Sequence, residues 1–414
     1  MGVQHKMRNH SNNQSYREIY SLFYSGPKTG EFLKFSNPHF AYAYYLNKRI
    51  NLLTGAVEKA NPTLILQWLA ALDEVDIKVQ TDDARVIHLF YELGFLFQNL
   101  TSLLNDDILL AIDIEYLQYR PYQLAEFHFK NSTTMLEVPQ FADYEMSYLA
   151  GYEYLKTGDC YQFNLTFPFV GKFSQGMSGA ELAGLLWRSK NSRGAYAHGS
   201  FIPFLQKFFI SNSPECLFRA EDHREGVKII TTPIKGSMPL HSGQSLKQAW
   251  QELQESAKNQ AELYMITDLL RNDLAKIETP TARVIFKKRP LCVPKILHQY
   301  SRVEVILKER TFLGPIIRAL FPGGSITGAP KKRVTKILHQ LEKRNRGFYC
   351  GSTILLFKNI RAASINIRSL EYNLDSGEFS YGAGGGVTLL SDVREEYNEM
   401  ILKTQSFFEL LIRE

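Results

Sequence analysis

The stretch GSTILLFKNIRAASINIRSLEYNLDSGEFSYG, residues 351–382, decides the fold class of this 414-residue chain. It contains three strand-like segments, Gly351–Phe357, Ala362–Leu370 and Glu378–Gly382, which are separated by short turns with Asn, Asp and Gly. Strands joined by such short turns pair antiparallel, because a parallel pair needs a crossover of a dozen or more residues. This stretch therefore predicts a run of antiparallel strands.

Four segments with helical periodicity lie among the strands. The first, Tyr144–Lys156, carries an apolar stripe and ends before Gly158, and the last begins near Asp392, a favourable N-cap residue. Between them lie a long helix over Ser245–Leu270 and a helix that follows Pro330. Helices mixed with antiparallel strands, without regular βαβ alternation, predict an α+β fold. Further strands are expected at Ala84–Phe97, Ile108–Tyr119, Tyr161–Phe169, Phe208–Ser211 and Lys228–Thr232.

The pattern of predicted secondary structure changes near residue 140. Before it, short apolar segments alternate with turns, and after it helices and strands are mixed and the glycine-rich segments are concentrated. Internal repeats and long linkers are absent from the sequence. Residues 1–140 are therefore predicted to form an N-terminal subdomain that contributes strands to a common fold, and residues 141–414 to form the catalytic region.

Charge and hydrophobicity exclude several classes of protein. Apolar residues make up 44% of the chain and charged residues 22%, so the chain is not intrinsically disordered. The net charge is +6, and the basic runs Lys287–Arg289 and Lys331–Arg333 are short and far apart, so no nucleic-acid partner is expected. The longest apolar stretch, Leu89–Phe97, is too short to span a bilayer, so no membrane partner is expected.

Cysteine spacing and the first residues bear on the compartment. Residues 1–15 are polar and lack the apolar core of a secretory signal. The cysteines are scattered, without a C-x-x-C pair for zinc or redox chemistry, and reduced thiols of this kind are typical of cytosolic proteins. A cytoplasmic protein is therefore predicted. The cysteines are Cys160, Cys216, Cys292 and Cys350.

Acidic residues on two predicted helices have two interpretations. On the last helix, Glu396, Glu399 and Lys403 are spaced i, i+3 and i+7, which places them on one face. On the long second helix, Glu262 has apolar neighbours. The ordinary explanation for such a pattern is a solvated, salt-bridged face. Alternatively, the carboxylates of the two helices face each other across a cleft and hold Mg²⁺, which takes one or two carboxylates together with waters and ligand oxygens.

Three further residues each have an ordinary and a functional interpretation. Lys235, in the segment PIKG at 233–236, is either a solvated lysine at a strand end or a partly buried amine that acts as a nucleophile. Arg368 is either an outward-facing strand charge or a bidentate clamp on a carboxylate. His298 is either a structural histidine or a general acid or base.

Seven short motifs follow one another in the second part of the chain. They are GDCYQFNL (158–165), SPE (213–215), AE followed by DLLRND (261–262 and 268–273), TGAPK (327–331), IR (367–368), GAG (382–384) and EYNE (396–399). In this order they resemble the motifs of the chorismate-utilising enzymes, a family that includes anthranilate, aminodeoxychorismate, isochorismate and salicylate synthases. The resemblance implies an anthranilate-synthase-like fold, in which large antiparallel sheets form a sandwich with helices outside. Residues 141–414 are then the chorismate-binding region.

The residue before Gly236 indicates one branch of this family. Anthranilate synthases carry P-I-A-G-T at this place and aminodeoxychorismate synthases carry P-I-K-G-T, whereas this chain has Lys235, Gly236 and Ser237. The resemblance therefore implies component I of an aminodeoxychorismate synthase, a transaminase-class enzyme of folate synthesis in which Lys235 forms a covalent adduct at C2 of chorismate. The alternatives are anthranilate synthase component I and a non-catalytic chorismate-binding regulatory protein.

The resemblance also implies roles for other residues. Glu215 would be the general acid, His298 would lie near the substrate ring, and Mg²⁺ would be held by Glu262 and Glu399, with Glu396 acting through water. Where relatives often carry a further acidic residue, this chain has Asn259. The carboxylates of chorismate would be bound by Arg368, Tyr349 and Lys403 and by the segments Thr327, Gly328, Ala329 and Gly384, Gly385, Gly386.

The source of ammonia is predicted to be a second protein. A glutaminase needs a catalytic cysteine on a G-x-C-x-G elbow, and the segment around Cys350 does not match that pattern. The resemblance therefore implies a separate glutamine amidotransferase subunit that delivers ammonia to this chain.

Overall fold

The computed structural model describes residues 18–411, apart from 27–28, 80, 125–131, 191–192, 241–242, 244, 278–281, 294–295 and 309. The polar segment 1–15, on which the prediction of no secretory signal rests, lies outside the described residues. Across the described ranges, no helix is both long and apolar enough to cross a bilayer. Disulfide bonds are likewise absent among the four cysteines, all of which are described.

Antiparallel strands are the largest part of the regular secondary structure, and helices lie on their surfaces. The strands are β1 Tyr20–Tyr24, β2 Phe32–Tyr44, β3 Lys48–Asn51, β4 Val57–Lys59, β5 Ala84–Leu89, β6 Ala111–Tyr122, β7 Thr133–Glu137, β8 Gln162–Phe173, β9 Tyr196–Ile202, β10 Lys207–Ser213, β11 Cys216–His223, β12 Gly226–Thr231, β13 Ile234–Pro239, β14 Arg283–Val293, β15 Ile296–Leu307, β16 Gly328–Ala329, β17 Ser352–Phe357, β18 Ile360–Ser364, β19 Ser369–Asn373 and β20 Glu378–Val387. The α-helices are α1 Thr63–Leu72, α2 Leu93–Phe97, α3 Phe141–Lys156, α4 Gly179–Leu186, α5 Leu246–Glu255, α6 Ala257–Ala275, α7 Leu313–Leu320, α8 Lys331–Glu342 and α9 Val393–Phe408.

The strands form one continuous antiparallel sheet. Neighbouring strands follow the order β7-β8-β20-β19-β10-β9-β1-β2-β6-β5-β17-β18-β11-β12-β15, and β15 also pairs with β13 and β14. The short strands β3 and β4 extend from β2, and β16 pairs with β8. The predicted α+β class with runs of antiparallel strands is confirmed.

Strands that are far apart in this order face each other across a common core. The ring of Phe209 on β10 lies 5.2 Å from that of Phe348 and 5.5 Å from that of Phe90, which follows β5. A hydrogen bond of 2.9 Å joins His88 on β5 to the hydroxyl of Ser200 on β9. The sheet therefore curls until two of its parts face each other, as in a sandwich, and apolar side chains fill the space between them.

Strands from the N-terminal part lie inside this sheet. β5 pairs with β17 and β1 pairs with β9, so segments on both sides of residue 140 alternate in the strand order. Such pairing requires the two parts of the chain to fold together, because each supplies hydrogen-bond partners to the other. The division of the chain at residue 140 itself stays a prediction.

Three of the four predicted helices are confirmed as α3, α8 and α9. The long helix predicted over Ser245–Leu270 is wrong at one point, because Ser256, with a ψ of 104°, separates α5 from α6. The Ser256 hydroxyl accepts a hydrogen bond from the N–H of Asn259 and so caps α6. Because of this break, α6 begins anew and lies against β13 and β15.

Two strand predictions are wrong in part. The segment Ala84–Phe97 is a strand only to Leu89, and its last residues form α2. The segment Ala362–Leu370 is divided between β18 and β19, and Arg368 between them has a φ of 52°. A residue in the left-handed region cannot continue a strand, so the alternating pattern did not describe the conformation of Arg368.

Candidate active site

Lys235 lies near the start of β13 and is half-buried. Gly236, which follows it, has a φ of 82°, and a Cβ atom there would lie 2.7 Å from Gln299 Nε2. Glycine at this position therefore lets β13 approach β15 closely. The ammonium nitrogen of Lys235 lies beside the glycine-rich end of β20, because a Cβ atom on Gly386 would lie 3.4 Å from it.

Glu215 lies in the turn between β10 and β11, next to Lys235. Its side chain is 4% exposed, and within the described part of the chain its Oε1 atom has no hydrogen-bond partner. Burial raises the pKa of Glu215 to about 7, and the nearby Ser325 hydroxyl and Lys235 ammonium act in the opposite direction. A carboxyl group with this pKa still carries a proton in part of the molecules near neutral pH, so it can serve as a general acid.

Three carboxylates from two helices lie around Lys235. Glu262 on α6 is 7% exposed and Glu396 on α9 is 2% exposed, whereas Glu399 is half-buried. Burial raises the pKa of Glu262, and the nearby Lys235 ammonium lowers it. Because the same ammonium also lowers the pKa of Glu399, the nucleophile candidate and both helices meet in one place.

Two of these carboxylates form ion pairs with lysines. Lys258 of α6 pairs with Glu396 of α9, so this pair joins the two helices. Lys403 lies one turn after Glu399 on α9, and its ammonium nitrogen is 2.8 Å from the carboxylate. The Lys403 charge lowers the pKa of Glu399 to about 2. Of the solvated, salt-bridged face, the ion pair is present at Glu396, but this carboxylate is buried and not solvated.

The donor set agrees with the chemistry of Mg²⁺. Glu262 and Glu399 offer carboxylate oxygens from two helices, and Mg²⁺ takes one or two carboxylates and completes its shell with waters and ligand oxygens. In the part of the chain that the structure describes, no three Asp, Glu, His or Cys side chains converge closely enough to hold a metal ion by themselves. The residues fit an ion that depends on substrate oxygens, and its binding stays a prediction.

Arg368 and Lys403 form a cationic part of the site. Both lower the pKa of His298, so both positive groups lie near that ring. The Lys403 ammonium also donates a hydrogen bond of 3.3 Å to the carbonyl of Gly384 on β20. Burial lowers the pKa of Arg368, and among the described residues no carboxylate counteracts this effect. A half-buried guanidinium without a carboxylate partner suits a carboxylate ligand.

His298 on β15 is 7% exposed, and its Nδ1 atom lies 2.7 Å from the hydroxyl of Ser237 on β13. Burial, together with the charges of Arg368 and Lys403, lowers the pKa of His298 to about 3. The imidazole is therefore neutral at physiological pH. A neutral imidazole beside two cations can donate or accept a hydrogen bond but does not add a third charge.

Tyr349 lies against β20, near the cationic part of the site. A Cβ atom on Gly382 would lie 2.1 Å from the Tyr349 ring, so only glycine leaves room for the ring here. Burial raises the pKa of Tyr349 well above its usual value, and its hydroxyl stays protonated. Tyr381 influences the pKa values of both Tyr349 and Arg368, which places the three side chains in one neighbourhood.

The turn before α8 contributes backbone to the site. Thr327 is buried, and its hydroxyl donates a hydrogen bond of 2.9 Å to the Gly323 carbonyl, so this side chain stabilises the turn. Gly328 and Ala329 form β16, which pairs with β8. A Cβ atom on Gly328 would lie 2.1 Å from the carbonyl oxygen of Gln162, so only glycine fits this approach. The carboxylate-binding role of the three turn residues stays a prediction.

The three glycines of β20 lie between β8 and α9. Gly384, Gly385 and Gly386 pair with β8, while β19 pairs with β20 only up to Tyr381. Beyond Tyr381 this edge of β20 has no strand partner in the described chain. A Cβ atom on Gly385 would lie 3.1 Å from Oε2 of Glu396, so the missing side chains let α9 carboxylates approach the strand.

Three polar residues of the site were not singled out from the sequence. Lys258 precedes Glu262 by four residues, and this helical spacing was an available signal. Ser325 is 4% exposed beside Glu215, and its hydroxyl has no partner among the described residues. The amide nitrogen of Gln162 would lie 2.1 Å from a Cβ atom on Gly386. Gln162 lies within the motif GDCYQFNL, which was a signal for it, whereas sequence pattern offers none for Ser325, because its neighbour Glu215 comes from a distant segment.

The fold thus brings the predicted side chains into two neighbouring groups. One group holds the amine of Lys235, the carboxyl of Glu215 and the carboxylates of Glu262, Glu396 and Glu399. The other group holds Arg368, His298 and Tyr349, and Lys403 connects the two groups, because it pairs with Glu399 and lowers the pKa of His298. An amine beside a protonated carboxyl can attack an electrophile while a leaving group is protonated, and the cations can bind a dicarboxylate.

Comparison with known proteins identifies the family. The model of chorismate binding enzymes matches residues 101–409. "Aminodeoxychorismate synthase component 1" of Escherichia coli is 30% identical over 390 residues, which cover 85% of this chain and 83% of that protein. The protein of the same name from Klebsiella aerogenes is 35% identical over 263 residues, which cover 62% of this chain and 55% of that protein.

Solved structures share the fold at lower sequence identity. Anthranilate synthase component I from Streptococcus pneumoniae superposes with a TM-score of 0.71 at 18% identity, over 98% of this chain and 95% of that one. The menaquinone-specific isochorismate synthase of Escherichia coli gives a TM-score of 0.68 at 15% identity, over 97% of this chain and 90% of that one. By the family match, the long alignment and the common fold, this chain belongs to the chorismate binding enzymes.

Proposed function

We propose that this chain is component 1 of an aminodeoxychorismate synthase, which converts chorismate and ammonia to 4-amino-4-deoxychorismate for folate synthesis. The observation that carries the proposal is the place of Lys235, whose amine lies beside the acid Glu215 and the carboxylates Glu262 and Glu399. The relatives of the same name, at 30% and 35% identity, support it. The reaction would belong to the transaminase class of transferases.

The proposed chemistry explains why a lysine is required at this place. The unprotonated amine of Lys235 attacks C2 of chorismate, both conjugated double bonds of the ring shift, and the C4–O bond breaks while Glu215 supplies a proton to the leaving hydroxyl, which departs as water. The adduct nitrogen returns its extra proton to the Glu215 carboxylate. Ammonia then attacks C4, both double bonds shift back, and the C2–N bond breaks as a proton passes from the new C4 nitrogen to the departing lysine amine. Two successive displacements place nitrogen at C4, whereas direct attack of ammonia at C2 leads toward anthranilate.

The cationic side chains of Arg368 and Lys403 would bind the substrate. Arg368 and Lys403 offer two positive groups to the two carboxylates of chorismate, and Tyr349 adds a phenolic hydrogen bond. The backbone segments Thr327, Gly328, Ala329 and Gly384, Gly385, Gly386 would bind the same carboxylates, and their common pairing with β8 supports this role. His298 would form a hydrogen bond near the substrate ring. Its neutral state suits this role, because a cationic imidazole would compete with Arg368 for the substrate carboxylate.

Mg²⁺ is part of the proposal. Glu262 and Glu399 would hold the ion and Glu396 would act through water, and when bound the ion supplies positive charge that polarises the substrate carboxylate. Asn259, at the start of α6, lies near Gly236 and makes the site less negative than an acidic residue would. The protein's own part is to hold these carboxylates on two helices that the Lys258–Glu396 pair joins.

A partner would supply the ammonia. The relatives are called component 1, which supports a second component in this system, and we propose a glutamine amidotransferase for that role. The cytoplasmic location also stays a prediction, and four cysteines without a disulfide support it.

The product of the reaction tests the proposal. The purified chain is incubated with chorismate, Mg²⁺ and ammonium, an aminodeoxychorismate lyase is added, and the aromatic product is identified by chromatography. We expect 4-aminobenzoate. Anthranilate as the sole product would show an anthranilate synthase instead, and no turnover together with tight chorismate binding would favour a regulatory protein.

The pH dependence should report the ionisation of Glu215. A general acid must carry its proton, so turnover should fall as the pH rises through about 7, where Glu215 loses it. Replacement Glu215→Gln should lower turnover by about 10²- to 10⁴-fold and remove this limb of the profile. Initial rates are measured at a constant concentration of unprotonated ammonia. An unchanged profile in the Gln variant would assign the limb to another group.

Alanine replacements at two glycines of β20 should affect different properties, one the turnover and the other the stability of the fold. The Cβ atom of Gly386→Ala would meet the side chains of Gln162 and Lys235, so we expect about a 10²-fold loss of turnover from a displaced lysine with a small change in stability. In Gly384→Ala the Cβ atom would lie 2.1 Å from the backbone oxygen of Leu165. That backbone cannot yield easily, so unfolding should become easier by about 1–3 kcal/mol.

Thermal unfolding and chorismate turnover are measured on both variants. Gly176→Ala is the matched control, because a Cβ atom there meets nothing within 4 Å. Full activity of Gly386→Ala would contradict the placement of Lys235 beside this glycine.

A further inference from the structure

The segment between β18 and β19 is tied to the segment that carries Glu215. Ser213, the last residue of β10, is fully buried. Its hydroxyl donates a hydrogen bond of 2.5 Å to the Ile365 carbonyl and accepts one of 3.2 Å from the backbone N–H of Glu215. The N–H of Ile365 donates to the carbonyl of Glu215 at 2.9 Å. One hydroxyl therefore joins two segments that are 152 residues apart in sequence.

The same segment ends on a residue in an unusual conformation. Arg368 has a φ of 52°, and such a residue keeps its conformation only where its surroundings hold it. The N–H of Asn212 donates a hydrogen bond of 2.9 Å to the Arg368 carbonyl. The hydroxyl of Ser369 donates to the Ile367 carbonyl at 3.0 Å. The end of β10 therefore holds the backbone at Arg368, and the first residue of β19 holds the residue before it.

We propose that Ser213 is a positioning residue that couples the orientation of the Glu215 carboxyl to that of the Arg368 guanidinium. The inference rests on the proposed function, in which Glu215 is the general acid and Arg368 binds a substrate carboxylate. Ser213 acts through the backbone of both segments. Without its hydroxyl, the backbone N–H of Glu215 loses its acceptor and the Ile365 carbonyl keeps only the N–H of Ile367, so both segments relax from the geometry that the reaction needs.

The variant Ser213→Ala tests the proposal in two backgrounds. In the parent chain we expect KM for chorismate to rise about 5-fold and kcat to fall about 10-fold, because small misplacements of catalytic groups are costly. In the Arg368→Ala background, the same replacement should raise KM by less than about 2-fold, since the group that Ser213 positions is already missing. This non-additivity separates positioning from general loss of stability.

Ser200→Ala is the matched control. Ser200 is also a fully buried serine of the sheet, and its hydroxyl bonds to Ser21 and His88 and not to either segment. We expect its KM and kcat to stay within about 2-fold of the parent. If Ser213→Ala resembles this control, or if its effect on KM adds fully to that of Arg368→Ala, the proposal is wrong.

Two further measurements keep the test decisive. If Ser213→Ala does not fold, Ser213→Cys keeps the volume with a weaker donor, and an unchanged KM in that variant would overturn the proposal. Calorimetric titration with chorismate reports on Arg368 without turnover. An inactive parent chain would therefore refute the proposed function, whereas equal chorismate affinity of the parent and Ser213→Ala would refute the role of Ser213.

Discussion

Replacement of Lys235 by alanine is expected to abolish formation of 4-amino-4-deoxychorismate, with a fall in rate of about 10³-fold or more. The variant lacks the amine that attacks C2, so the first displacement cannot occur. Direct attack of ammonia at C2 remains open, and a small amount of anthranilate is the expected residual product. Both aromatic products are measured by chromatography after coupling to the lyase.

The variant Lys235→Arg distinguishes a nucleophile from an electrostatic residue. Lys235 lowers the pKa values of Glu215, Glu262 and Glu399, and a guanidinium would retain that effect. A guanidinium stays protonated and is not a nucleophile, so Lys235→Arg should be as inactive as Lys235→Ala. Substantial formation of 4-aminobenzoate by the Arg variant would refute the covalent mechanism.

Two observations complete this test. Incubation of the parent chain with chorismate in the absence of ammonia should add the mass of chorismate less one water, which mass spectrometry detects on the intact chain. The added mass should be absent from Lys235→Ala. Lys228→Ala is the control, because Lys228 is another half-buried lysine of the sheet, on β12.

Replacement Glu262→Gln is expected to lower both Mg²⁺ affinity and turnover. Gln keeps the shape of the side chain but removes the negative charge, so Mg²⁺ affinity should fall about 10²-fold or more. The loss of a buried carboxylate between Lys235 and Lys258 also changes the charge balance of the cleft. We expect turnover to fall by at least about 10²-fold at a Mg²⁺ concentration that saturates the parent.

Calorimetric titration with Mg²⁺ measures this effect without turnover. The matched control is Glu395→Gln, which removes an exposed carboxylate next to Glu396 on α9. Removal of the metal with EDTA should inactivate the parent, and added Mg²⁺ should restore it. Equal Mg²⁺ affinity of the parent and Glu262→Gln would show that Glu262 does not bind the ion.

Much of the fold was predictable from local sequence. The short apolar run at the end of residues 351–357 and the alternation of residues 378–382 are typical of strands, and the capping residue Asp392 precedes α9 as predicted. The break between α5 and α6 at Ser256 was not predictable from local sequence, because serine is tolerated within helices. Its hydroxyl acts as a cap only in the geometry that α6 adopts against the sheet.

Part of the candidate site was likewise predictable from the sequence, and part was not. The residue types and motif order pointed to Lys235, Glu215, Glu262 and Glu399, and the fold brings the three carboxyl groups close to the Lys235 ammonium. The pairing of Lys258 with Glu396 was not predictable, because the partners lie on helices 138 residues apart in sequence. Neighbours of this kind are set by chain packing, which no local pattern records.

The sequence alone thus determined the fold class and the chemical groups available to the protein. The protonation states and the conformations of these groups depend on the tertiary structure. Burial beside Arg368 and Lys403 keeps His298 neutral, burial raises the pKa of Glu215 to about 7, and hydrogen bonds from β10 hold Arg368 at a positive φ. Desolvation and long-range hydrogen bonds depend on neighbours from distant segments, whereas the sequence pattern reports only on neighbours along the chain.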